Sequence, residues 1–379
     1  MRVVEHLEGR TRLLVPRASL VEDPPPTTPV FFNPAASLNR DVTVAMTSAA
    51  GGTTFCDSMA GVGARGLRVA KELGSVERVT MVDFNRDALN LARRGATLNR
   101  VERKCAFAAS ETSSYLFSRY GSEMRFDFVD VDPFGTPIRQ IQPALCATSD
   151  GGLFSVTATD TAVLCGVYPK VARRRYGASP LNNHFHHETA VRILIGAVVR
   201  LGGAVDLGIS PVAAHANRHY VRAFVRVHAG ATDADTALGR LGFVSWCQGC
   251  GNVESSGEPT ATCPQCGKRT RWAGPLWLGG LTDPGLVARA GETAAASGLQ
   301  QAAEVISSLV GLDDLPPWSF SIEQICSSLK VPTVPEQEVY SNLKSAGHRV
   351  MRTPFEKTGI KTEAKAVEVV RAVKGAARR

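Results

Sequence analysis

FCDSMAGVGARG, residues 55–66, sets Gly61, Gly63 and Gly66 in a G-x-G-x-x-G spacing directly after a β-rich run and before a helical one. Glycines at those positions allow a tight turn and let a ligand approach the backbone at a helix start. Asp83 closes the next β-rich run, TMVDFN, where an acid about 20 residues downstream can accept hydrogen bonds from both ribose hydroxyls. Together these point to an adenosine-containing cofactor. Asp57, just before the glycines, would repel a pyrophosphate and attract a sulfonium or ammonium group, so S-adenosylmethionine is expected rather than a dinucleotide.

Around this loop, β-rich runs alternate with helical stretches from Thr53 to Val227: TTFCDSM, RVTMVDF, FDFVDV, GLFSVTAT, AVDLGISPV and YVRAFVRVHA. Such alternation implies right-handed crossovers and a mostly parallel sheet covered on both faces, an α/β class. The last two runs are joined by AAHANRH, too short for a crossover helix, so that pair is expected to be antiparallel. A parallel sheet ending in an antiparallel pair is the class I, Rossmann-like methyltransferase arrangement.

The run FDFVDV leads into DPFG. Asp132 should therefore emerge at the crevice where ligands of open α/β sheets bind, with Pro133 fixing the backbone and Phe134 offering a ring to stack on a planar substrate. A carboxylate beside a stacked base could accept hydrogen bonds from an exocyclic amine and take up its proton. Upstream, a proline-rich arm carries Phe31, Phe32 and Asn33 toward the same region. Thr159 and Asp160, ending GLFSVTATD, should border the cleft.

The chain has 379 residues, 44% of them apolar, enough for two or three domains. Its formal net charge is +8, and the stretch from residue 341 to 379 holds ten Lys or Arg against three Glu. A localised basic surface suits a polyphosphate partner. There is no apolar run of membrane length and no signal-peptide centre near Met1, so a cytoplasmic location is expected. Cys247 and Cys250, then Cys263 and Cys266, form two C-x-x-C pairs with glycines close by, the pattern of a tetrahedral four-thiolate zinc site that is structural because no position stays open. The other five cysteines read as small buried hydrophobes. His184, His186 and His187 lack the i, i+4 spacing of a helical metal pair and read as packing or contact residues. Arg173, Arg174 and Arg175 could meet the phosphates of such a polyphosphate partner, as could Arg352, Lys357 and Lys361 in RTPFEKTGIKT. The expected organisation is a methyltransferase domain with an extended arm over 1–239, a four-cysteine, zinc-ribbon-like subdomain over 240–280, and a smaller basic α+β domain over 281–379.

The motifs VFFNPAASLNRDVTV, DSMAGVGARGLR, MVDFNRDAL, DVDPFGTP, VTATDTAVLCG, HETAVRILIG, RHYVRAFVRV, GPLWLG and RTPFEKTGIKTEA resemble the tRNA (guanine-26-N2)-dimethyltransferase family from about Phe31 to Glu363. The resemblance implies an enzyme that uses S-adenosylmethionine to dimethylate N2 of guanine 26 in tRNA; no obligate protein partner is inferred, and a monomer is expected. It implies that Arg40 and Arg65 contact the cofactor carboxylate and Asp83 the ribose, and that Glu111, Thr112 and Ser113 flank the adenine. Asp132 would be the catalytic carboxylate, with Phe134 and one of Phe31 or Phe32 sandwiching a flipped guanine. The basic C-terminal domain would bind tRNA. Ala35 and Ala36 stand where relatives often show Arg and Met, and Glu111-Thr112-Ser113 departs from the usual acidic pattern.

Overall fold

In the computed structural model, which describes residues 1–120, 124–217 and 219–377, the chain opens with an antiparallel hairpin, β1 (Val3–Glu8) and β2 (Thr11–Pro16). The proline-rich arm then leads to helix α1 (Ser37–Ala50). Strand and helix alternate through β3 (Thr54–Asp57), α2 (Ala64–Glu72), β4 (Arg78–Asp83), α3 (Arg86–Asn99), β5 (Cys105–Ala109), α4 (Thr112–Phe117), β6 (Phe126–Val131), α5 (Ile138–Ala147) and β7 (Thr148–Ala158). Three helices follow, α6 (Thr161–Leu164), α7 (Pro169–Tyr176) and α8 (His186–Gly203), before strands β8 (Leu207–Asn217) and β9 (Tyr220–Ala229).

These strands form one seven-stranded sheet in the order β5-β4-β3-β6-β7-β9-β8. Neighbours from β5 to β7 are parallel, and β9 pairs antiparallel with both β7 and β8. The expected antiparallel pair is thus present, with β9 inserted beside β7. Chain order reverses between β3 and β6, so the carboxyl ends of those two strands open a crevice at the topological switch point. One strand is not legible in sequence: β5, CAFAA, is a half-exposed edge strand of small residues and lacks a clear period.

The alternation of β6 shows how the core aims the site. Phe126, Phe128 and Asp130 share one buried face, and Phe128 stacks on Phe55 at 5.0 Å and meets Phe224 edge-on at 6.5 Å. Full burial of one such ring stabilises by about 1.5–3 kcal/mol, which fixes the register that sends Asp130 and Asp132 toward the crevice.

After α9 (Ala231–Leu238), strands β10 (Leu241–Trp246), β11 (Val253–Ser256) and β12 (Arg271–Trp277) make a three-stranded antiparallel sheet in the order β11-β10-β12 around the cysteines. Helices α10 (Pro284–Ala296) and α11 (Gln300–Ser307) pack on α1 and belong to the larger core. A second core begins at Phe320, in a unit of β13 (Phe320–Ser321), α12 (Ile322–Leu329), α13 (Glu336–Ser345), β14 (Val350–Arg352), β15 (Gly359–Thr362) and α14 (Ala366–Ala376). The larger core therefore runs on through α10 and α11 to Leu312, because their apolar faces are covered by α1, and Phe355 joins it from the C-terminal unit. Among the described residues no helix is long and apolar enough to cross a membrane.

Candidate active site

The glycine loop leaves β3 at Asp57 and enters α2 through Gly63 in a left-handed conformation, φ +76°. A Cβ on Gly63 would meet Ala92 Cβ at 2.8 Å and Met81 Sδ at 2.9 Å, so this glycine packs α2 on its neighbours. Gly61, at φ +53°, would meet only the Phe31 carbonyl at 3.7 Å, and its surface faces the crevice beneath the arm. Asp83 Oδ2 accepts from Gly61 N–H at 2.7 Å and Oδ1 from Asn85 N–H at 2.8 Å, while Asn85 Nδ2 donates to the Pro29 carbonyl at 2.7 Å. The arm is thus tied at Pro29 by Asn85, just past the end of β4. Phe84, beside Asp83, is 81% exposed.

Asp57 is buried, and its Oδ2 accepts from Gly66 N–H at 2.9 Å. Burial pushes its carboxyl up to about 7, although Arg65 nearby opposes the rise. Glu111 caps α4 by accepting from the Ser113 and Ser114 amides, and the Thr112 hydroxyl donates to the Ser58 carbonyl at 2.8 Å, joining α4 to the glycine loop.

Beneath Asp132 lies a buried charge network. Arg65 Nε is 3.0 Å from Asp130 Oδ2, its Nη1 donates to Asn39 Oδ1 at 3.0 Å and Thr43 Oγ1 at 2.6 Å, and its Nη2 pairs with Asp132 Oδ2. Asp130, fully buried, also pairs with Arg222 and accepts from Ser155 Oγ. Burial alone would raise the Asp130 carboxyl; Arg222 and Arg65 hold it below the usual carboxylate range. Arg222 Nη2 reaches Thr43 Oγ1 at 2.9 Å. Sequence reasoning does not reach Asp130, Arg222, Asn39 or Thr43. The one local sign is that Asp130 occupies the apolar phase of FDFVDV, where an acid requires a cationic partner.

Asp132 itself is partly open, and Gly135 closes the turn: its N–H donates to Thr159 Oγ1 at 2.6 Å and its carbonyl accepts from Thr159 N–H at 2.9 Å. The turn projects Phe134, 69% exposed, against Phe31 with ring centroids 4.7 Å apart and planes at 76°. Phe32 points the other way, 3% exposed, against the His6 ring and under Arg40. Of the two arm phenylalanines the structure brings Phe31 to Phe134. Arg40 is buried in a bidentate pair with Glu8, at 2.6 and 2.5 Å, and also donates to the Asn33 carbonyl at 3.0 Å. Asp160 accepts from the Tyr176 hydroxyl and pairs with Arg175 at 3.0 Å, at the side of the cleft.

With this geometry in view, residues 9–374 match the family model described as N2,N2-dimethylguanosine tRNA methyltransferase. The chain belongs to that family. It is 36% identical to the tRNA (guanine(26)-N(2))-dimethyltransferase of Methanopyrus kandleri, over 94% of this chain and 93% of the relative. It is likewise 36% identical to that of Methanoregula boonei, over 99% of both chains. The structure of Trm1 from Pyrococcus horikoshii with S-adenosyl-L-methionine aligns with a TM-score of 0.86 at 31% identity, covering 97% of this chain and 99% of that one.

In this family member the four cysteines come together as two equivalent knuckles. Gly251 N–H donates to the Cys247 carbonyl and Gly267 N–H to the Cys263 carbonyl, both at 2.9 Å, with the glycines at φ +75° and +71°. Cys247 and Cys263 N–H groups return to the carbonyls of Asn252 and Lys268, both at 2.8 Å. The sulfurs of Cys247 and Cys266 lie 3.5 Å apart and those of Cys250 and Cys263 3.6 Å, near the roughly 3.8 Å separation of four sulfurs around tetrahedral zinc. The donor set fits zinc and leaves no position for a substrate.

Of the three basic residues of the RTPFEKTGIKT loop expected to face RNA, Arg352 and Lys357 are exposed, the guanidinium of Arg352 donating to the Lys357 carbonyl at 2.8 Å. Lys361 is not available to a phosphate. It is 1% exposed, and its Nζ lies 2.6 and 2.8 Å from the oxygens of Glu188, which also pairs with Arg192. β15 is the central strand between β13 and β14 with all four residues buried, and Lys361 meets α8 there.

Proposed function

We propose that this protein transfers methyl groups from S-adenosyl-L-methionine to the exocyclic N2 of guanine 26 in tRNA, twice in succession. The observation that carries the reading is the Phe31–Phe134 pair above Asp132, at the switch point beside the glycine loop. Guanine N2 lies inside folded tRNA, so the base must be extruded, at a cost of a few kcal/mol that stacking offsets. The two rings touch at 4.7 Å; receiving a base between them requires roughly 7 Å, so the arm carrying Phe31 moves when substrate enters.

The crevice fits the cofactor: Gly61 has no side chain to fill it, and Asp83 and the exposed Phe84 stand at its edge. Asp83 would hold the ribose, Glu111, Thr112 and Ser113 would flank the adenine, Asp57 would face the methionine amine, and Arg65 its carboxylate. Arg40 would act behind them, fixing the arm through Asn33. When bound, S-adenosylmethionine supplies an electrophilic methyl group. Asp132 would accept a hydrogen bond from the N2 amine in the plane of the base, leave the nitrogen lone pair facing out of that plane, and take the proton as the new N–C bond forms. After one methylation N2 keeps one N–H to offer Asp132. After two it has none, and the carboxylate no longer holds the product.

Arg352, Lys357 and the Arg173–Arg175 cluster would position tRNA through its phosphates. We also infer that the protein acts in the cytoplasm as a monomer; sedimentation at a multiple of 40.4 kDa would refute the latter. The reading is tested by incubating pure protein with unmodified tRNA and S-adenosylmethionine and analysing nucleosides by mass spectrometry. Dimethylguanosine should appear, and a transcript carrying adenine at position 26 should yield none; absence of methylated guanosine from the tRNA with guanine there overturns it.

A further inference from the structure

We propose a second metal site, independent of the four-cysteine cluster, in which Cys165, His186 and His187 bind a divalent transition ion of the zinc type. One ligand atom from each of these three residues lies within 4.8 Å of the others, the span that also contains the four zinc-ribbon sulfurs. The grouping is absent from the sequence because Cys165 follows α6 and the histidines open α8.

Three independent features bring the donors together. Adjacent residues of a helix project about 100° apart. The rings of His186 and His187 nonetheless meet with centroids 4.2 Å apart, because His186 is the first helical residue and follows a non-helical Phe185. Both Nδ1 atoms lie against backbone carbonyls, His187 on Phe355 at 3.1 Å and His186 on Asn183. Donation from Nδ1 leaves Nε2 as the lone-pair nitrogen, the second hydrogen bond by which proteins orient metal-binding imidazoles. Gly166, at φ +91°, allows the turn after Cys165 to press on the histidine segment so closely that a Cβ there would meet Asn182 N at 2.9 Å.

Thiolate with imidazole is a zinc or cobalt donor set, and three protein ligands leave a fourth position for water. Because the Phe355 carbonyl that orients His187 belongs to the C-terminal segment, a bound ion would brace that segment against the catalytic sheet.

Metal content of the full-length protein, purified without chelator and with zinc present, tests the site. Wild type should hold two zinc ions per chain, and C165S and H186Q should each hold one. After cobalt loading, the difference spectrum between wild type and C165S should show a near-ultraviolet thiolate-to-cobalt band, while the band from the four-cysteine cluster remains in both. His186 is half-exposed, so H186Q is the variant that keeps the test open should C165S fail to fold. One zinc per chain in wild type, or two retained in H186Q, overturns the proposal.

Discussion

Asp57 and Asp132 stand at the ends of neighbouring strands and play opposite parts. Asp57 is buried without a full counter-charge, and moving its carboxyl from an ordinary 3.8 to about 7 amounts to at most about 4 kcal/mol. The folded chain holds that proton more tightly than the unfolded chain. Stability on this account is therefore greatest below pH 4, falls as pH rises through 4 to 7, and stays lowered above 7. Asp57→Asn should raise the melting temperature relative to wild type at pH 8 and lose that advantage near pH 4. Because an ammonium group favours the ionised form, S-adenosylmethionine affinity of wild type should rise with pH through about 7, and titration calorimetry of D57N should show no such rise. For Asp132, substitution by Ala should reduce turnover at least a hundredfold while cofactor binding persists, checked by single-turnover assay beside calorimetry. Asp132 is legible in sequence because Asp-Pro-Phe-Gly breaks a strand pattern. Its partners Arg65, Asp130 and Arg222 are joined only in space, since 92 residues separate Asp130 from Arg222.

Among the elements, the glycine loop and the cysteine knuckles carry their geometry in local sequence. Gly63 needs both a positive φ and the space a Cβ would take from Ala92 and Met81, so Gly63→Ala should cost roughly 1–3 kcal/mol in urea unfolding. The knuckles repeat the same turn twice, and the donor set closes without help from other segments. Chelation of the zinc ribbon should lower the melting temperature but leave the methyl-transfer step, measured on folded protein in single turnover, within a fewfold of wild type. Strand β5 and the histidine segment show the limit of such local reading. β5 takes its place from pairing with β4, and the role of the histidines depends on a turn from another helix.

Across the whole molecule, the C-terminal unit is held by a buried ion pair 173 residues apart in sequence, Lys361 with Glu188. Removing one partner leaves a buried charge short of compensation, a loss of about 3–5 kcal/mol when nothing else pairs it. Arg192 also pairs with Glu188, so Lys361→Met should cost roughly 2–3 kcal/mol, and the double variant Glu188→Gln, Lys361→Met less than the sum of the single changes. Denaturation of the four proteins in a double-mutant cycle measures this coupling. In sequence Lys361 reads as an RNA contact because a lysine in a basic loop is ordinarily solvated; its burial follows from the central place of β15 between β13 and β14 and its packing on α8, which composition does not reveal. By itself the sequence determined the sheet class, the glycine loop, the Asp-Pro-Phe-Gly turn and the four-sulfur cluster, because strand period, turn chemistry and ligand spacing act over a few residues. Only the tertiary structure decided that Phe31 rather than Phe32 meets Phe134, that two arginines underlie Asp132, and that Lys361 anchors a domain, because those outcomes depend on which distant surfaces pack together and exclude water.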